Sequence, residues 1–103
     1  QDRIAREICN HVADMLDTGA PSIEDVASKM NCSGRTLQRR LAERNLSYQM
    51  LLDYVRKDRA IDLLCKTTLP ITKIAIRTGF ADDSTFHRAF RRWTGMSPGS
   101  YRH

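Results

Sequence analysis

Apolar residues recur along this chain at the three- and four-residue spacing of a buried helix face, in seven separate stretches. No segment alternates apolar and polar residues as a strand would. From Asp2 to Asp17 the apolar positions are Ile4, Ile8, Val12, Met15 and Leu16. Gly19 suits the left-handed residue that ends a helix, and Pro21 blocks its continuation. Ser22 then caps a second helix, with Asp25 at the third helical position where a capping-box carboxylate sits. Ile23, Val26, Ala27 and Met30 form its inner stripe. Asn31, Cys32, Ser33 and Gly34 make a turn, and Ser33 caps a third helix running to about Arg44. That helix buries Leu37 and Leu41 and presents Arg35, Gln38 and Arg39 on its other face.

Ser47 opens the longest helix, to about Lys66, with Tyr48, Leu51, Leu52, Val55, Ala60, Leu63 and Leu64 apolar. Met50, Tyr54 and Ile61 lie off that stripe, which predicts a helix packed between two bodies. Its length is about 30 Å at ~1.5 Å per residue, near the roughly 34 Å between successive major grooves. Pro70 breaks it, and a fifth helix from Ile71 to Thr78 buries Ile71, Ile74 and Ala75 before Gly79 ends it. Asp82, Asp83 and Ser84 crowd the start of a sixth, whose inner stripe is Phe86, Ala89, Phe90 and Trp93. The spacing expects Asp83 to cap this helix and all four apolar residues to be core. Gly95 ends it, and Ser97 followed by Pro98 opens a last short helix through Tyr101 and Arg102. The fold class is all-α.

Two of these stretches repeat two others. Ile23 and Ala27 match Ile71 and Ala75 at an offset of 48, and Leu37, Arg39 and Leu41 match Phe86, Arg88 and Phe90 at 49. Two short helices joined by a tight turn, the second carrying guanidinium groups, are what reading a DNA major groove requires. The expected organisation is a first helix-turn-helix subdomain at 1–46 (motif about 23–44), a linker helix at 47–68 and a second subdomain at 69–103 (motif about 71–94).

Charge follows the repeat. The net is −3 over residues 1–30, +3 over 31–50, +1 over 51–70 and +4 over 71–103, so the excess falls on the second helix of each pair. That is the footprint of a polyanion-binding face. No apolar run approaches the ~20 residues that span a bilayer. Cys9, Cys32 and Cys65 are three in number and far apart, which argues against a disulfide framework or a zinc site and for buried thiols in a reducing compartment. They and His11, His87 and His103 converge on no nucleophile or metal spacing, and no glycine loop cradles phosphate. We read no catalytic residue, no metal and no cofactor.

Ala75, Gly79-Phe80-Ala81-Asp82, Phe86 and the run Arg88-Ala89-Phe90-Arg91-Arg92-Trp93-Thr94-Gly95-Met96-Ser97-Pro98, then Tyr101-Arg102, closely resemble the signature of the AraC/XylS family of bacterial transcription regulators. Ser33 with Leu37-Gln38-Arg39-Arg40-Leu41 resembles that family's first recognition helix, and Arg56 with Ala60 and Leu64 its linker helix. The likeness covers essentially the whole chain. It implies seven helices with two helix-turn-helix units joined by a long helix, and two recognition helices, about Ser33–Arg44 and Asp83–Thr94, in successive major grooves of an asymmetric site. It further implies double-stranded promoter DNA and RNA polymerase as partners, with no membrane. An activator's role, a cytoplasmic, nucleoid-associated location and an effector or dimerisation domain ahead of Gln1 belong to the same expectation. The residues themselves do not distinguish activation from repression. The chain departs from the family pattern at Arg44-Asn45-Leu46-Ser47, where a glycine is common, and at Gly34, which weakens the first turn of its helix.

Carried over position by position, the base-facing residues are Arg35, Gln38 and Arg39 in the first unit and Asp83, Ser84, Thr85, His87 and Arg88 in the second. Arg39 can donate twice to guanine O6 and N7, and Gln38 can pair with adenine N6 and N7; either could instead hold phosphate. Asp83 could accept from cytosine N4 or cap its own helix. Arg40, Arg91 and Arg92 are expected on phosphates.

Overall fold

A computed structural model describes residues 3–103; Asp2, where the first apolar stretch begins, lies outside the described residues. Among the described residues the chain is helical throughout, with seven α-helices and one 3-10 turn. These are α1 (Arg3–Met15), the turn Leu16–Thr18, α2 (Ile23–Lys29), α3 (Gly34–Ala42), α4 (Tyr48–Lys66), α5 (Ile71–Arg77), α6 (Asp83–Thr94) and α7 (Pro98–Arg102). The molecule is elongated, 41 × 24 × 22 Å.

The apolar stripes collapse into two cores rather than one. Ile4, Ile8, Val12 and Leu16 of the first segment meet Val26, Ala27, Leu37 and Leu41, closed by Leu51, Leu52 and Val55. Ala60 and Leu64 close the second core, around Ile74, Ala75, Phe80, Phe86, Ala89 and Phe90. One helix thus serves both, its N-terminal half one core and its C-terminal half the other. The expectation of a helix packed between two bodies holds, with the bodies on different sides of α4 and offset along it. Of the residues off its main stripe, Ile61 packs on the second core, whereas Met50 and Tyr54 stay 52% and 64% exposed. In the second core the rings pack edge to face, Phe80 on Phe86 at 5.5 Å and Phe90 on Tyr101 at 5.3 Å.

Local chemistry sets most helix starts. Ser22 and Asp25 form a full capping box, and Ser33, Ser47 and Ser97 each accept an N–H from the third helical residue. Several details differ from the sequence reading. α3 stops at Ala42 rather than Arg44, because Asn45 turns the chain at φ 59°. An asparagine tolerates that left-handed geometry, so it does the work a glycine would do in the loop. Gly19 has positive φ but an extended ψ of 165°, not the left-handed cap. Met30, Ile71 and Trp93 are half-buried, as are Cys9 and Cys32, while Cys65 is exposed. The thiols are therefore not uniformly core residues.

Candidate nucleic-acid interface

The two helix-turn-helix turns are built alike, bond for bond. α2 ends at Met30 (φ −99°, ψ 10°) and α5 at Thr78 (φ −105°, ψ 11°). The next residue is left-handed in both, Asn31 at φ 59° and Gly79 at φ 85°. Cys32 N–H then donates to the Ala27 carbonyl and Phe80 N–H to the Ala75 carbonyl, each at 3.0 Å. One extra residue, Ala81, follows in the second turn before the N-cap. Ser33 Oγ accepts from Thr36 N–H at 3.1 Å, and Asp82 Oδ1 from Thr85 N–H at 2.8 Å. Even the hydroxyls correspond: Thr36 lies 3.0 Å from Ser33 Oγ, and Thr85 donates to Asp82 at 2.9 Å.

The N-cap of α6 is therefore Asp82, which corrects the assignment of that cap to Asp83. The bonds from Thr85 hold the Asp82 carboxyl below the usual carboxylate range, with the Arg88 charge adding to them. Asp83 is instead the first helical residue, half-buried, and its side chain is released from capping.

Each second helix is two-faced. α3 buries Gly34, Leu37 and Leu41 and exposes Arg35, Gln38, Arg39 and Arg40. α6 buries Phe86, Ala89 and Phe90 and exposes Ser84, Thr85, Arg88, Arg91 and Arg92, with His87 half-buried. Among the described residues the side chains of Arg35, Gln38, Arg39, Arg40, Arg88, Arg91 and Arg92 make no intramolecular hydrogen bond or ion pair. Seven polar side chains thus stand unpaired, four on α3 and three on α6. The shared register puts Arg35 with Ser84, Gln38 with His87 and Arg39 with Arg88; Arg40 has only buried Ala89 opposite it.

Two of the expected readers are partly committed. His87 Nδ1 is 2.8 Å from the Asp83 carbonyl, which can only accept. Nδ1 must carry the proton there, so the neutral ring keeps Nε2 as an acceptor. Thr85 has donated its hydroxyl hydrogen to Asp82 and keeps only acceptor capacity.

Residues 26–103 match the family model described as a helix-turn-helix domain. The chain belongs to this family, in its AraC type. It is 46% identical over 82 residues to the ornithine utilization regulator of Pseudomonas aeruginosa, spanning 80% of this chain and 24% of that protein. The HTH-type transcriptional regulator VqsM of the same organism is 36% identical over 89 residues, 86% of this chain and 27% of that one. Among solved structures, the DNA-binding domain of the global transcriptional factor AdpA, in complex with a target DNA, aligns with a TM-score of 0.78 at 27% identity, over 95% of this chain and 88% of that one. The chain spans about a quarter of the length of these curated relatives. DNA binding in transcription regulation, not catalysis, is what the family does. No helix among the described residues is long and apolar enough to cross a membrane.

In this AraC-type domain three arginines that counted toward the basic charge are spent on the fold. Arg56 donates from Nε to the Thr78 carbonyl at 2.9 Å and from Nη2 to that of Gly79 at 2.8 Å, with its guanidinium carbon 3.8 Å from the centre of the Phe80 ring. Burial lowers its pKa from the usual arginine range. Arg102 donates to the Leu64 carbonyl at 3.0 Å and reaches that of Thr67 at 3.3 Å, closing the end of α4. Arg59 reaches three separate acceptors, described below. The sequence signal for this was slight: arginines at 56 and 59, about one helical turn apart on the linker helix. Arg44 likewise donates to the Arg40 carbonyl at 2.7 Å.

Proposed function

We propose that this domain binds duplex promoter DNA sequence-specifically, with α3 and α6 entering successive major grooves of an asymmetric site. The observation that carries the reading is the duplicated turn, which orients two helices alike, each with unpaired arginines on its exposed side and with Arg39 and Arg88 at the same register. α4 is roughly 28 Å long at ~1.5 Å per residue, short enough to keep both units on one side of a duplex with grooves about 34 Å apart. Arg39 and Arg88 are the principal base readers, each able to grip guanine through two parallel bonds. Gln38 reads adenine, Arg35, Ser84 and Thr85 read or position, His87 accepts through Nε2, and Asp83, no longer a cap, accepts from cytosine. Arg40, Arg91 and Arg92 hold phosphates. The protein of which this domain is part carries an effector or dimerisation domain, acts with RNA polymerase as an activator and works at the bacterial nucleoid.

Selection from a random duplex pool at about 150 mM salt tests this. Enrichment of an asymmetric site with two short elements about 10 bp apart is the expected result. A single enriched element would leave one unit without a reading role. Salt-sensitive binding with no enrichment would refute base reading by this domain alone.

A further inference from the structure

A two-headed reader accepts only those sites whose two elements match the fixed offset of its heads, and in this domain one side chain spans the joint. Arg59 donates from Nη2 to the Ala13 carbonyl at 2.7 Å, and from Nη1 to the Asp17 carboxylate and the Arg77 carbonyl, each at 3.1 Å. Ala13 and Asp17 flank Leu16 of the first core, whereas Arg77 ends α5, which supplies Ile74 and Ala75 to the second. Asp17 completes the circuit by pairing with Arg77 Nε at 3.4 Å. Among the described residues no other linker side chain hydrogen-bonds to both units: Arg56 binds carbonyls of the second unit alone. A backbone contact backs the same joint. Gly79 lies so close to the first unit that an added Cβ would stand 3.0 Å from both Ala20 N and Leu16 Cδ1.

We propose that Arg59 is a positioning residue for spacing specificity: held by Asp17, it keeps the two units at one relative rotation, so the domain rejects sites whose elements are one base pair too far apart or too close. The proposal rests on the two-groove reading above. The ion pair itself contributes little, because the Asp17 side chain is 60% exposed. The constraint lies in the two carbonyl bonds, made at the C-terminal ends of α1 and α5. A guanidinium presents its donors in a fixed planar fork, so satisfying three acceptors at once fixes both orientation and distance. A lysine ammonium in the same place is a point charge on a flexible stem and would satisfy one or two of them. The mismatch to be rejected is small, since one base pair moves the second element by about 3.4 Å and turns it by about 35°.

The test is binding of the native domain, Arg59→Ala, Arg59→Lys and Asp17→Asn to duplexes carrying the selected site with its elements at the selected spacing, one base pair closer and one farther, and to duplexes with one element scrambled. The native domain should lose about tenfold or more at either wrong spacing, as expected when rigid linkage makes the second contact intramolecular. Arg59→Ala and Arg59→Lys should compress that ratio to about threefold or less, leaving affinity for the single-element duplex within about twofold, and Asp17→Asn should fall between. An arginine that only stabilised the fold would lower affinity equally at all spacings, and an unchanged ratio in a helical Arg59→Ala overturns the proposal. If Arg59→Ala does not fold, the native ratio in Arg59→Lys overturns it just as well. A native domain indifferent to scrambling of one element refutes the two-groove reading itself, and the spacing proposal with it.

Discussion

Replacing Arg56 by alanine should unlatch the second unit from the linker helix. The side chain makes two charge-assisted bonds to the carbonyls of Thr78 and Gly79 and stacks 3.8 Å over Phe80. Such bonds contribute about 1.5–3 kcal/mol each when fully buried, and an arginine on an aromatic face about 1 kcal/mol. Arg56 is only half-buried, so water can partly reclaim the freed carbonyls. The loss is therefore set below the sum of these terms, at roughly 2–3 kcal/mol in total. For a domain of this size 1 kcal/mol moves Tm by about 4–8 °C, so Tm should fall by about 10–20 °C. Arg56→Lys keeps the charge but not the fork, and should recover less than half of the loss. Thermal denaturation followed by far-UV circular dichroism gives the magnitude. Fluorescence of Trp93, the single tryptophan, gives the location, because its ring lies 6.0 Å from that of Phe80 in the second core. In Arg56→Ala the fluorescence transition should precede the dichroism transition. A Tm drop below about 3 °C, less than 1 kcal/mol on the same scale, would refute the latch.

Asp82→Asn should flatten the acid limb of stability. The native Asp82 carboxyl titrates below its unfolded value, so its contribution is fully present above the unfolded pKa and is lost as pH falls through the folded one. Urea midpoints measured from pH 6 to pH 3 check this, and identical slopes for the native and Asn domains would count against Asp82 as the cap. Ser22→Ala removes one half of the capping box and should cost about 1 kcal/mol, read from the same denaturation curves. Arg39→Ala should relax sequence preference at one position by about 1–3 kcal/mol. Arg92→Ala should weaken binding to every sequence alike and reduce the salt slope by about one. Equal losses on all sequences for Arg39→Ala would sink its base-reading role.

What the sequence disclosed was whatever depends on neighbours three or four residues away. Ser22, Ser33, Ser47 and Ser97 are legible as caps because the N–H each accepts lies three residues along the chain. The stripes Leu37 with Leu41 and Phe86 with Phe90 are legible for the same reason. The choice between Asp82 and Asp83 was not, since two adjacent carboxylates both satisfy the pattern and only the extended backbone at Asp82, φ −150°, decides it. Periodicity could show that α4 is apolar on more than one side, since Leu52 and Leu64 lie about 120° apart around the helix, but not where along it one core gives way to the other. Hydrogen bonds spanning 18 to 46 residues of sequence, such as those of Arg56 and Arg59, leave little local trace.

That blind spot changes how the charge should be read. A net of +4 over residues 71–103 counts Arg77 and Arg102 with the rest, although one pairs with Asp17 and the other caps α4. The +1 of residues 51–70 counts Arg56 and Arg59, which face main-chain carbonyls. The cationic side chains left without partners on the two second helices are Arg35, Arg39 and Arg40 on α3 and Arg88, Arg91 and Arg92 on α6. The two groups use the same residue for different reasons. On the joint, arginine is needed for the geometry of its fork, which lysine lacks; on a phosphate, the charge alone would serve. On the two second helices the unpaired donors are free for bidentate contact with a base, and this is where a guanidinium again outperforms an ammonium. Total basic charge thus overstates the proposed binding face, and the pairing of each arginine narrows it to three unpaired guanidiniums on each of α3 and α6, while the linker's Arg56 and Arg59 are spent on main-chain carbonyls.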